Sequence, residues 1–307
     1  MSRYIVTGGS GRLGRSVVTV LAEAGHEVVS IDRSPVDGMP ARQLSLDLTD
    51  AEATHRAFAE LRPDGVVHLA AIAVPFSLPD DEIFAINTHL AWSVLEATIA
   101  AGAESLLIAS SPTVIGYGCP AGWTPSTLPI DEAHPRAPWN GYALSKVAVE
   151  ELVAMAARRD GDRLRVGAFR PCYVITPEEW AGAPTQQGHT VAERLDDPAL
   201  SAVALFNYVD ARDAGDFVRL WLENGQTVPN GTTFFVGAAD SLVREPVSDA
   251  LARLVAGFET SVGALAPDAA VFSSALAEEL LGWRASRSWR SELAAFTSEP
   301  IAEVEHA

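Results

Sequence analysis

The chain has 307 residues, 48% apolar and 20% charged, with a net charge of −18; this allows a sizeable core and reads as globular rather than disordered. Such acidity argues against the basic patch that nucleic-acid or anionic-membrane binding requires. Two cysteines, Cys119 and Cys172, and seven histidines without ligand-type spacing point to neither a disulfide framework nor a metal site.

A glycine-rich turn begins at Gly8, leaving no room for a signal peptide, and no run of about 18 apolar residues reads as a membrane span. A cytoplasmic location is expected. Residues 4–6 read as a first strand entering Thr7-Gly8-Gly9-Ser10-Gly11-Arg12-Leu13-Gly14. A helix then carries Leu13, Val17, Val18, Val20 and Leu21 until Gly25. Residues 27–31 form a second strand closed by Asp32, and residues 43–46 a short third strand closed by Asp47. A helix over 51–61 stops before Pro63. Residues 65–71 are apolar almost throughout, as a fourth, buried parallel strand should be.

A long helix over 81–101 ends at Gly102, a favourable C-terminal cap. Residues 105–109 make a fifth strand closed by Ser110 and Ser111. The Gly-, Pro- and Trp-rich stretch 116–141 reads as a loop near a site. A helix runs from Tyr142 to about residue 159, and residues 165–170 make a sixth strand. After Pro171 the pattern shortens: loop-like over 176–202, an element at 206–209, a helix over 211–222, a strand around 234–236, and helices near 246–257, 275–281 and 286–296. The alternation implies an α/β fold, a Rossmann-type doubly wound parallel sheet with a small C-terminal α/β substrate lobe. Residues 1–175 would form the dinucleotide-binding domain, joined by part of 203–240 through chain crossing, with 176–307 mainly the substrate lobe.

Gly8, Gly11 and Gly14, with Arg12 and Leu13 between them, lie between first strand and first helix, where a pyrophosphate needs a tight turn and open helix N–H groups. Asp32, 18 residues after Gly14, suits a ribose 2′-hydroxyl and repels a 2′-phosphate. NAD is therefore favoured over NADP, although Arg33 leaves some room for the latter. Asp47-Leu48 could meet an adenine edge, or Asp47 or Asp50 could cap the next helix.

Lys146 is the only lysine; the other 21 basic residues are arginine. It stands four residues after Tyr142, one helical turn along the same face. A phenol beside an ammonium can serve as a general base near neutral pH, with the ammonium and a nicotinium ring lowering the phenol's pKa. Ser110 and Ser111 close the fifth strand, at the end of a parallel sheet where ligands bind. Asn87 either holds backbone beside the cofactor or is an ordinary polar position on its helix. Cys172 falls near the cofactor by position, with a buried small hydrophobe as its default role. His134 and His189 read as solvated loop residues, and Trp123, Trp139 and Trp180 either shape a pocket or pack.

With these motifs the chain resembles the extended short-chain dehydrogenases/reductases of the NAD-dependent epimerase/dehydratase family. The resemblance runs nearly end to end. It rests on Thr7 to Gly14, Asp32, Asp47-Leu48, His68-Leu69-Ala70-Ala71, Asn87, Ser110-Ser111 before Gly116, Tyr142 with Lys146, Arg170-Pro171 and Tyr208-Val209-Asp210. It implies that Tyr142 is the general base and acid, that Ser111 orients the substrate hydroxyl with help from Thr113, and that Lys146 holds the nicotinamide ribose. Leu69, Ala70, Ala71, Asn87 and Cys172 would flank the cofactor, and Tyr173 would face the substrate. Homodimerisation through the helices at 81–101 and 142–159 is also implied.

Two departures bear on the substrate. Where sugar-nucleotide members carry an Asn after the sixth-strand Arg, this chain has Tyr173. Where they tend to carry an Arg before Tyr-Val-Asp, it has Ala204-Leu205-Phe206-Asn207. The stretch Ser110 to Tyr117 is also similar to uronate dehydrogenases of the same superfamily. The expected function is hydride transfer at a secondary alcohol of a sugar or sugar-nucleotide-like substrate, as in an epimerase. The alternatives are a simple dehydrogenase of a non-nucleotide sugar or sugar acid, and a non-catalytic NAD-sensing module.

Overall fold

A computed structural model describes residues 1–258 and 265–298. Strands and helices alternate as β1 (Arg3–Thr7), α1 (Arg12–Glu23), β2 (Glu27–Asp32), β3 (Arg42–Ser45), α2 (Ala51–Leu61), β4 (Gly65–His68), α3 (Asp80–Ala101), β5 (Ser105–Ala109), α4 (Gly141–Asp160) and β6 (Arg165–Pro171). Shorter elements follow: β7 (Val174–Ile175), α5 (Pro177–Trp180), α6 (Val191–Asp196), α7 (Ala199–Ala202), β8 (Val209–Asp210), α8 (Ala211–Asn224), β9 (Thr233–Val236), α9 (Val247–Leu254), α10 (Ala275–Leu281) and α11 (Trp289–Ser298).

Seven strands form one parallel sheet in the order β3-β2-β1-β4-β5-β6-β9. The chain winds from β1 out to β3 and then crosses back to β4 on the other side. The crevice outside the carboxyl ends of β1 and β4 is thus the topological switch point, where ligands bind in such sheets. Successive side chains of a strand face opposite ways, so each strand feeds two cores. Ile5, Val66, Leu106 and Val166 meet α2, α3 and α4 through Phe58, Val94 and Val153. Val6, Val67, Leu107 and Phe169 meet α1 and α8 through Val17, Phe217 and Trp221.

A third cluster, with Ile175, Trp180, Tyr208 and Trp289, builds the lobe around the two-stranded β7–β8 ladder. The second half of the chain also returns to the large sheet, for β9 pairs with β6 and α8 packs along α1. Among the described residues, α3 alone is long and apolar enough to cross a membrane by length and composition. It is instead packed between α2 and α4, with Asn87 and Thr98 buried among its apolar side chains.

Three expectations need correction. β4 ends at His68, because residues 69–71 leave the ladder and turn along the crevice. The stretch 176–202 is not uniformly loop-like: it holds α5, α6 and α7, the first two opened by capping boxes, Thr176 with Glu179 and Thr190 with Glu193. These helices are too short for a periodic pattern to declare them. The element expected over 206–209 shrinks to β8, because Leu205 and Phe206 take left-handed backbone conformations (φ 51° and 57°).

Candidate active site

One cavity of about 870 Å³ follows the carboxyl edge of the sheet from Asp32 to Tyr173. At its first end, α1 starts directly after the glycine turn, and its N-cap, Gly11, offers no side-chain hydrogen bond. The first-turn N–H groups therefore stay available to an anion. Gly8 has φ +71°, and a Cβ there would lie 2.6 Å from the backbone nitrogen of Ala70. At Gly14 a Cβ would strike the carbonyl oxygen of Gly8. The two glycines allow turn, helix and the segment after β4 to meet, leaving a cradle that the backbone lines. That shape fits a dinucleotide pyrophosphate.

Asp32 closes β2 over this turn, its carboxylate accepting from the backbone N–H of Ser10 (3.1 Å) and of Arg33 (2.7 Å). Asp47 also lines the cavity; the backbone N–H and hydroxyl of Thr49 donate to it and hold its pKa below the usual range. The cap of α2 is Asp50, which accepts from Ala53 N–H at 2.9 Å. Leu48, Leu69, Ala70, Ala71 and Cys172 line the wall, and burial pushes the Cys172 thiol up.

Asn87 does not itself line the cavity. Its amide clamps the backbone of Ile72, accepting from the N–H at 2.7 Å and donating to the carbonyl at 3.2 Å, and also donates to the Ser145 hydroxyl. It sets the course of the cavity wall from behind.

At the centre Ser111, Tyr142 and Lys146 come together on the cavity surface. Asn140 caps α4 by accepting from Ala143 N–H, which fixes where the helix begins and so where Tyr142 sits. Lys146 is 5% exposed; its ammonium donates to the Ala109 carbonyl at 2.9 Å and lies 5.8 Å from the Tyr142 ring centroid. Burial pushes its pKa down to about 8, against the opposing charge of Glu150 one turn further along α4.

At Tyr142 burial raises the pKa while a hydrogen bond with Ser111 pulls the other way. In the protein alone it is therefore a neutral phenol. Thr113 donates twice to the Ser111 hydroxyl oxygen, from its hydroxyl at 2.9 Å and its backbone N–H at 3.2 Å. Beneath them His68 shares a hydrogen bond with the Thr7 hydroxyl (2.7 Å), and burial with the nearby Lys146 charge lowers it to about 3, so it is a neutral imidazole.

The far end joins residues that the sequence singled out, Arg12, Trp139 and Tyr173, to others that it did not, Phe76, Gln186, Gln187 and Arg194. Phe76 stacks obliquely on Trp139 with centroids 5.6 Å apart, and Tyr117 is hydrogen-bonded to Asn207. Asn207 in turn accepts from the Tyr173 N–H at 2.9 Å. Two guanidiniums approach the Tyr173 ring, Arg194 at 4.5 Å and Arg12 at 5.9 Å from its centroid, and its buried hydroxyl has no protein partner. Arg12 reaches out of the glycine turn to Glu179, the Val174 carbonyl and Gln186. Arg194 holds Gln187. Arg194 sits on α6 and the glutamines just before it, where no sequence pattern marks them; Trp139 is the one tryptophan of the three considered that lines the cavity. His134 is buried, its ring bonded to Ser126 N–H and the Pro135 carbonyl, rather than solvated.

The model of the "NAD dependent epimerase/dehydratase family" matches residues 4–237. The UDP-glucose 4-epimerase of Lacticaseibacillus casei is 27% identical over 91% of this chain and 90% of that one. The L-arabinose 1-dehydrogenase (NAD(P)(+)) of Haloferax volcanii is 33% identical over 58% of this chain and 70% of its own. Several further UDP-glucose 4-epimerases match too, and the chain spans about half their length. Among solved structures, UDP-glucose-4-epimerase from Stenotrophomonas maltophila, with bound NAD and formylated UDP-arabinopyranose, superposes with a TM-score of 0.72 at 20% identity, covering 96% of each chain. That likeness is one of fold.

Proposed function

The chain belongs to the NAD dependent epimerase/dehydratase family, and from that premise we propose that it is an NAD-dependent oxidoreductase or epimerase acting at a secondary alcohol of a sugar-like substrate. The observation that carries this reading is the convergence of Ser111, Tyr142 and Lys146 on the cavity that the glycine turn opens. Gly8, Gly11, Gly14 and the N-terminus of α1 hold the pyrophosphate of NAD, and Asp32 takes the adenosine ribose. Bound NAD supplies the hydride acceptor and a positive ring close to the phenol.

Ser111 orients the substrate hydroxyl, with Thr113 fixing the serine in turn. Tyr142 takes the hydroxyl proton as the C–H pair leaves with its electrons, so the alcohol becomes a carbonyl. Lys146 holds the nicotinamide ribose and stabilises the phenolate. An epimerase returns the hydride to the other face; a dehydrogenase releases the reduced cofactor. This second reading, net dehydrogenation of a non-nucleotide sugar or sugar acid, is favoured by Tyr173 and by Ala204 to Asn207 standing where sugar-nucleotide members resemble one another. A purely NAD-sensing role would leave the assembled trio without work.

The enzyme acts in the cytoplasm, in keeping with two free cysteines, and as a homodimer through α3 and α4. Tyr142→Phe tests the assigned base. Turnover, followed by NADH absorbance and by sugar composition after quenching, should fall by at least about 100-fold, while NAD binding measured by calorimetry persists. Undiminished turnover would remove Tyr142 from the mechanism.

A further inference from the structure

Around Tyr173 the charges do not balance. Two guanidiniums, Arg12 and Arg194, approach its ring, and the carboxylate nearby, Glu179, is taken by Arg12 at 2.7 Å. The next carboxylate, Glu178, is paired with Arg15 at 3.1 Å. Arg194 is 1% exposed and has no carboxylate partner among the described residues. Its side chain donates from Nη1 to the Gln187 carbonyl oxygen at 2.5 Å, and its Nε is buried without a partner. Buried charges are ordinarily paired, and one left over is destabilising. One positive charge is thus in excess here, and it resides on Arg194.

That charge is covered by a neutral group that is free to leave. Arg194 does not itself line the cavity but contacts two residues that do, Tyr173 and Gln187. Gln187 sits at the tip of a turn closed by its own bonds. Thr185 donates to the His189 carbonyl from its N–H and its hydroxyl (2.8 and 2.7 Å), and the Gly188 N–H donates to the Thr185 carbonyl at 2.8 Å. Swinging the Gln187 side chain aside therefore breaks its bond to Arg194 and leaves the turn in place.

An amide carbonyl meets the geometry of a guanidinium without meeting its charge. A carboxylate meets both, through charge-assisted bonds roughly twice as strong as neutral ones. Beside the guanidinium, the buried and unpartnered Tyr173 hydroxyl is a further donor. A single excess charge matches one carboxylate, whereas a phosphate monoester carries about −1.5 to −2.

We propose that Arg194 anchors a carboxylate of the substrate, which displaces the Gln187 carbonyl and takes the Tyr173 hydroxyl as a second donor, so that the substrate is a sugar acid. This deepens the hydride-transfer reading and rests on it. The test is a panel on the full chain with NAD: D-galacturonate and D-glucuronate as acids, D-galactose and D-glucose as their neutral counterparts, UDP-glucose as the nucleotide sugar. NADH absorbance and sugar composition are read for each.

An acid should give a kcat/KM at least about 100-fold above the neutral sugars and UDP-glucose. Binding is read separately by calorimetry on the NAD-loaded Tyr142→Phe variant, where the same acid should saturate with a Kd below about 1 mM. Adding Gln187→Glu to that variant gives Arg194 a carboxylate from the chain itself. Affinity for the acid should then fall by about 10-fold or more, while the melting temperature holds or rises. Gln187→Ala removes only the displaced group and should keep or tighten acid binding. No saturable binding of either acid, an affinity unchanged by Gln187→Glu, or a higher kcat/KM for UDP-glucose or a neutral sugar would overturn the anchor. Turnover that survives Tyr142→Phe would overturn the chemistry instead.

Discussion

At Lys146 two opposing influences act on one proton. Removal from water lowers the ammonium and the Glu150 carboxylate pushes it partly back up, leaving it at about 8. Below that value the lysine carries the charge it needs to donate to a ribose and favour a phenolate; above it, the charge is lost. The kcat/KM for NAD, which reports the free enzyme, should therefore decline as pH rises through about 8. Arginine stays charged throughout, so in Lys146→Arg that alkaline decline should vanish. The rate itself should drop by about 100-fold or more, since a guanidinium cannot occupy the same point. A pH-rate profile of both proteins checks this. A wild-type profile flat to pH 10 would show that the proton of Lys146 does not matter. The lone lysine was visible in composition, and its neighbour in spacing. The raised pKa of Tyr142 was not, because burial is set by residues distant in the chain.

On α4 the spacing that joins Tyr142 to Lys146 continues for one more turn to Glu150. That carboxylate is 5% exposed and accepts from Arg170 twice (2.7 and 2.8 Å) and from the Ser110 hydroxyl at 2.6 Å. Arg170 is itself buried, with its Nη1 already unpartnered. Glu150→Gln keeps the shape and removes the charge, leaving a buried guanidinium uncompensated. The expected loss is about 3–5 kcal/mol, read as a shift of the urea midpoint. With the upward push on Lys146 gone, the alkaline decline in kcat/KM should also begin at a lower pH. A purely structural role would move the first readout and not the second.

Elements of this length were legible from sequence alone: α4, α3 and the strands of the large sheet show their period and their stops within a dozen residues. The lobe was legible only in part. Helices of four to six residues such as α5, α6 and α7 are too short to leave a periodic trace, and only the first two carry capping boxes. Arg194, Gln186 and Gln187 belong to that part, and their roles depend on Arg12, which lies more than 170 residues away in sequence.

For the whole molecule, the open matter is how α3 and α4 meet solvent. They pack against one another, yet each leaves a large apolar side chain outside, Trp92 at 50% and Leu144 at 47% exposure. A monomer in water keeps such surface at a cost of roughly 25 cal/mol per Å² relative to burying it. A second copy bringing the same two helices would cover it, and a two-fold axis makes one patch self-complementary. Trp92→Glu places a charge in that interface, where desolvation without a partner opposes association. The mutation alters an exposed position, so the fold should survive, with stability changed by about 0.5 kcal/mol or less. Light scattering coupled to gel filtration should therefore give a dimer mass for the native chain and a monomer mass for Trp92→Glu, with unchanged circular dichroism. NAD binding should persist in the monomer, because neither Trp92 nor Leu144 lines the cavity. A native chain that elutes as a monomer would mean that α3 and α4 do not form the interface.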